Sequence, residues 1–192
     1  QTCALPIWRK ATWPREFIFA ADREQHAALR LDHEGAVAVF GQHAGDAEVV
    51  ILGMGRVGLA AYQRLSQHHG LKVVGVDYDG PRIKTLQGEG FNAIEGDATD
   101  LDFWNRLRHS DSVHTAILAM HRHGANVTAL ECLRESGFGG QVATVARYDD
   151  EVEWAKKHGV DTAFNIYAGA GSELADQAAG LSEPLPETDP KS

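Results

Sequence analysis

Three glycines, Gly53, Gly55 and Gly58, stand at GxGxxG spacing directly after the apolar run Val49-Val50-Ile51-Leu52, and the residues that follow, 59–65, have helical character. Phosphate chemistry needs that order. Gly53 permits a tight turn out of a strand, Gly55 lets the backbone approach a pyrophosphate, and Gly58 lets a helix pack on the sheet. The unpaired N–H groups at the helix start, aided by its dipole, attract negative charge. Met54, Arg56 and Val57 share this turn; Arg56 either meets phosphate or faces solvent as an ordinary helix-start residue. A second apolar run, 71–76, ends in Asp77, 24 residues after Gly53, and a carboxylate there can accept both ribose hydroxyls of an adenosine. Asp77 and Asp79, flanking Tyr78, would repel a ribose 2′-phosphate. NAD or NADH, or another adenosine nucleotide (AMP, ADP or ATP), is therefore expected, with Arg82 as an opposing charge nearby. Replacing Asp77 by Ala is expected to weaken nucleotide binding while keeping the fold.

Further candidates follow later strands. In Gly96-Asp97-Ala98-Thr99-Asp100, Asp97 has two readings, an acceptor or backbone guide for adenine or one part of a turn with Asp100 as helix cap, and Ala98 is small enough to admit a flat base. Arg147 either reaches phosphate oxygens across the cleft or makes a surface salt bridge. His121 and His123 could share a metal only with a third ligand that the spacing does not supply, so no metal site is expected. No Tyr-x-x-x-Lys pair occurs and only a short stretch follows the last strand, so binding without turnover is the reading and no catalytic residue is assigned. A fragment of a soluble NAD-dependent oxidoreductase is the rival, and a nucleotide-free scaffold for protein contacts is the third possibility.

The elements that must position these residues alternate. Strands are expected at 49–52, 72–76, 92–95, 115–120, 141–146 and 162–165, with helices at 56–69, 81–89, 101–109, 125–135 and 149–158. Asp100 and Asp149 stand where helices start, and Gly137 and Gly159 where they end. Continuous apolar strands in such units predict an α/β fold, a doubly wound Rossmann-like parallel sheet of six strands in order 3-2-1-4-5-6. Its cleft lies between strands 1 and 4.

Composition bounds the rest. A chain of 192 residues, 43% hydrophobic, suits one domain, and a net charge of −9 without a basic stripe argues against nucleic acid as partner. No apolar run approaches the roughly 20 residues that span a bilayer. Two cysteines, Cys3 and Cys132, make no disulfide framework, and a buried thiol is expected for Cys132. Residues 1–7 look like a translated sequencing adapter, with the natural start missing. Residues 8–46 read as a linker with a partial helix, 47–168 as the nucleotide-binding domain, and 169–192 as a helix to about residue 179 followed by a disordered polar tail.

The set Val50 to Gly58, Val76-Asp77-Tyr78-Asp79, Gly96 to Asp100 and Ala146-Arg147 resembles the RCK N-terminal domain, also called the Trk-type (TrkA-N) NAD-binding domain. Modules of this family serve bacterial potassium channels, Trk uptake systems and Kef-type cation/proton antiporters. The match covers residues 47–165, and the ending Phe164-Asn165-Ile166-Tyr167-Ala168 resembles antiporter-type members. The resemblance implies that Gly53, Met54, Gly55, Arg56, Val57 and Gly58 surround phosphates, that Asp77 beside Tyr78 holds ribose, that Asp97, Ala98 and Thr99 border adenine, and that Arg147 contacts phosphate. It implies a homodimer at the cytoplasmic face of a membrane, regulating a transmembrane cation transporter on the same chain or a separate one. Members often carry an acidic pair after strand 4; this chain has His121-Arg122-His123-Gly124.

Overall fold

A computed structural model describes residues 46–107 and 112–180, all within the unit Val39–Ser192. The expectations for residues 1–45 and 181–192 lie outside the described residues. The order is β1 (Val49–Leu52), α1 (Arg56–His68), β2 (Val73–Asp77), α2 (Gly80–Gly88), β3 (Ala93–Glu95), α3 (Leu101–Leu107), β4 (Thr115–Leu118), α4 (His123–Glu135), β5 (Gln141–Ala146), α5 (Asp149–Lys157), β6 (Thr162–Asn165) and α6 (Ile166–Ala178).

All six strands are parallel, in the order β3-β2-β1-β4-β5-β6 that the alternation predicts. β1 is central and wholly buried because it is covered on both faces. Its even residues, Val50 and Leu52, join Val74, Val76, Trp104, Leu118, Leu133 and Val142 on one face; Val49 and Ile51 join Met54, Tyr62, Ile83 and Leu86 on the other. Complete burial of each such side chain stabilises by about 1.5–3 kcal/mol. Leu52 pairs in line with Val76 and with Leu118, so the strand ends are level, while α1 packs through Tyr62 on the Ile51 face and α4 through Ala129, Leu130 and Leu133 on the Leu52 face, so the chain leaves the sheet in opposite directions after β1 and β4. That divergence opens the cleft.

Three local details differ from expectation. β4 stops at Leu118 and α4 starts at His123, because buried Asn126 accepts from the Met120 N–H at 3.1 Å and donates to its carbonyl at 3.1 Å, folding the segment off the sheet. Asp149 does not cap α5. It lies inside that helix, and its carboxylate accepts from Asn165 Nδ2 at 2.8 Å. α6 begins at Ile166 rather than after Gly169, since the Asn165 side chain caps it by accepting from the Tyr167 and Ala168 N–H groups, both at 3.1 Å. No helix among the described residues is long and apolar enough to cross a membrane.

Candidate functional site

The turn after β1 is held from three sides. Gly53 has φ +95°, a conformation that favours glycine, and its N–H donates to the Val76 carbonyl at 2.8 Å. A Cβ on Gly53 would lie 2.9 Å from the Met120 backbone, and one on Gly58 only 1.9 Å from the Gly53 carbonyl oxygen. Both glycines are therefore required by close packing. Gly55 differs: around its imagined Cβ the nearest described atom is Arg82 Nη1 at 3.9 Å, so this face of the turn is open. The first bond of α1 runs from Leu59 N–H to the Gly55 carbonyl at 2.9 Å, and no side chain caps the helix. The N–H groups of Arg56, Val57 and Gly58 precede that bond, which leaves an anion cradle.

Asp77 binds the turn to β2. One carboxylate oxygen accepts from the Met54 N–H at 2.8 Å and the other from the Asp79 N–H at 3.1 Å, with the residue only 8% exposed. The acid thus points toward the glycines. Met54 itself spends its N–H on Asp77, and its side chain is buried against Gly75, so it positions the turn and offers no side chain to a ligand. Tyr78 is exposed beside it.

Asp97 and Thr99 lie past β3 on the same flank. Asp97 Oδ1 accepts from the Thr99 N–H at 2.8 Å and from its hydroxyl at 2.6 Å, closing a small turn, while Asp100 caps α3 through the Asp102 N–H at 2.9 Å. Ala98 is buried in the core, and its carbonyl accepts from Trp104 Nε1 at 2.7 Å. Its side chain faces packed protein rather than an open base pocket. Cys132, half-buried on α4, donates to the Thr99 carbonyl at 3.4 Å; burial, with Glu135 and Asp100 adding, pushes its thiol pKa up, so it keeps the donated proton.

Across the β1/β4 divergence, a cleft of about 330 Å³ is lined by Gly55, Arg56 and Val57 and, opposite them, by His121, Arg147 and Tyr167. The Arg147 backbone N–H donates to Glu151 at 2.6 Å, and its guanidinium donates to the His121 carbonyl. Its side chain is therefore tied to the cleft wall instead of a surface salt bridge.

The model of the TrkA-N domain matches residues 49–166, well over half of the chain and all six strands. This chain belongs to the TrkA-N domain family. The fold recurs in the NAD(P)-binding domain of an exopolyphosphatase-related protein from Archaeoglobus fulgidus, 20% identical, with a TM-score of 0.62 over 70% of this chain and 98% of that one. It recurs in the TrkA-N domain of the inner membrane protein ybaL from Escherichia coli, 21% identical, TM-score 0.57, covering 71% of this chain and 96% of that one. The Kef CTD of Shewanella denitrificans in its AMP-bound form is 18% identical, TM-score 0.58, covering 69% of this chain and 79% of that one. No curated protein sequence matches the chain.

Within this TrkA-N domain the expected residues divide into two groups around the glycine turn. Gly53, Gly55, Arg56, Val57, Gly58 and Arg147 converge on the β1/β4 cleft or the turn beside it, whereas Asp77, Tyr78 and Asp97 to Thr99 lie on the β2/β3 flank. Asn126, Glu151 and Tyr167 also line the cleft. The spacing of Glu151 four residues after Arg147, across a helix start, is the one sequence signal for these. His123 faces Glu151 at 3.8 Å and packs edge-on to Trp154, and among the described residues no group of three or more His, Cys, Asp or Glu could hold a metal.

Proposed function

We propose that this domain is a regulatory nucleotide-binding module of a potassium or other monovalent-cation transporter of the Kef antiporter type, binding NAD(H) or an adenosine nucleotide without turning it over. The observation that carries the reading is the Asp77 carboxylate held at 2.8 Å on the Met54 N–H, next to an open Gly55 and an uncapped α1. Acid and cradle stand side by side, as an adenosine ribose and its 5′-phosphate require. The free N–H groups of Arg56 to Gly58 would receive phosphate, the second lone pairs of Asp77 the ribose hydroxyls, and the Asp97 to Thr99 segment would border adenine. Arg147 would supply a further cation from the opposite wall. The AMP-bound state of the Kef CTD and the NAD(P)-binding role of the Archaeoglobus domain support this choice of ligand class.

Regulation requires that two conformations bind ligand with different affinity. α6 is the element suited to read the difference. Its first turns supply Ile166, Tyr167 and Ala170 to the cleft, while no residue along the helix is buried. Contraction of the cleft around a bound phosphate would draw Arg147 and α6 toward α1 and change the angle at which a second copy of the domain meets α6. A coupling of about 1–3 kcal/mol suffices for a useful response.

Thermal unfolding of the chain with NAD, NADH, AMP and ATP tests the ligand class. At least one is expected to raise the midpoint in proportion to the logarithm of its concentration, as mass action demands. No shift with any of the four would overturn the reading, and steady loss of NADH absorbance in the presence of a carbonyl compound as hydride acceptor would point to the oxidoreductase instead.

A further inference from the structure

The flank of the glycine turn that faces β2 carries a cation at a helix start, Arg82, beside two carboxylates. Arg82 is the third residue of α2, a helix with no acid in its first turn. A positive charge there works against the helix dipole. Asp79 caps the helix by accepting the Arg82 backbone N–H at 3.1 Å. The guanidinium lies 3.7 Å from Asp79 Oδ2 through Nε and 4.0 Å from Asp77 Oδ2 through Nη1, both beyond hydrogen-bond length. Its charge is attracted, but its donors are uncommitted: the described residues receive no hydrogen bond from its side chain. The same Nη1 is the atom 3.9 Å from the imagined Cβ of Gly55.

The electrostatics of this flank need that cation. Asp77, Asp79 and Glu95 gather here, with Glu95 Oε2 only 2.5 Å from where a Cβ on Gly80 would stand. Three carboxylates beside the cradle would repel a phosphate. Arg82 lies beside Asp77 and Asp79 on the side open to Gly55, half-exposed and able to swing a short distance onto an oxyanion.

We infer that Arg82 is a phosphate-binding residue of this site, resting on the carboxylates of Asp77 and Asp79 in the free protein and turning to the 5′-phosphate of an adenosine nucleotide. The inference builds on the nucleotide reading above and assigns a ligand contact to a residue outside the family-derived set. Because the guanidinium meets phosphate rather than base or sugar, it separates adenosine 5′-phosphates from adenosine itself.

Calorimetry on the full 192-residue chain with AMP, with NAD and with adenosine tests it, using Arg82→Gln and Arg82→Lys. Arg82→Gln is expected to weaken AMP binding about tenfold, the size of one charge-assisted hydrogen bond, to flatten its salt dependence, and to leave adenosine unchanged. Arg82→Lys, which keeps the charge and serves if the Gln variant folds poorly, should retain most of the AMP affinity. Unchanged AMP affinity in Arg82→Gln, or equal losses for AMP and adenosine, would overturn the assignment while leaving the nucleotide reading standing. A wild-type chain that binds neither AMP nor NAD would remove both.

Discussion

Both oxygens of the Asp77 carboxylate are engaged by backbone, one by Met54 and one by Asp79, at a residue almost fully buried. A sugar would therefore share this acid with the turn it anchors. Asp77→Asn keeps one acceptor and turns an amide NH₂ toward one of the two N–H groups, so a buried donor loses its partner. The expected cost is about 1–3 kcal/mol of stability, together with weaker nucleotide binding. Urea denaturation of the free protein checks the first, and an unchanged midpoint would show that the two hydrogen bonds are marginal. This adds a folding cost to the expectation, drawn from residue type alone, that Asp77→Ala would leave the fold intact. Type and spacing pointed to an acid in the right place; the second duty of that acid depends on Asp79 looping back.

At the scale of elements, α3 holds the segment that follows β3. Trp104 is 1% exposed and its indole N–H reaches the Ala98 carbonyl at 2.7 Å, so a core side chain sets the backbone path of Asp97 to Thr99. Replacing Trp104 by Phe keeps most of the packing with the α4 side of the core but orphans that carbonyl. A loss of about 1–3 kcal/mol is expected, with amide hydrogen exchange at Thr99 faster than in the wild type while the strands keep their rates. An unchanged rate at Thr99 would show that the segment is held by its own small turn. The tie was illegible beforehand because a Trp six residues after an Ala specifies no contact until the helix between them is oriented. Ala98 illustrates the same limit: its size suggested room for a base, yet the turn that precedes α3 packs its side chain into the core.

At the scale of the whole molecule, α6 stands out among the described elements as a helix with no buried residue. Phe164 on the edge strand is 56% exposed, and on the helix Tyr167 is 62% and Leu174 69% exposed. Large side chains this open at a sheet edge suit an association surface. If two copies pair there, the wild-type chain should sediment as a concentration-dependent dimer and Leu174→Asp as a monomer. Identical sedimentation of the two would remove α6 from the proposed interface. Such pairing would couple to the proposed regulation through α6, whose Ile166, Tyr167 and Ala170 line the cleft.

The residues by themselves determined the parallel sheet, its strand order and the place of the glycine turn, since these follow from short-range facts: a period of apolar runs, a right-handed crossover and three glycines at fixed intervals. Only the tertiary structure decided which side chains face that turn. Arg82 reaches Gly55, Trp104 fixes Ala98 and α6 closes the far wall through contacts between elements. Such contacts depend on how helices rotate against the sheet, an outcome of packing the entire core that no local spacing encodes.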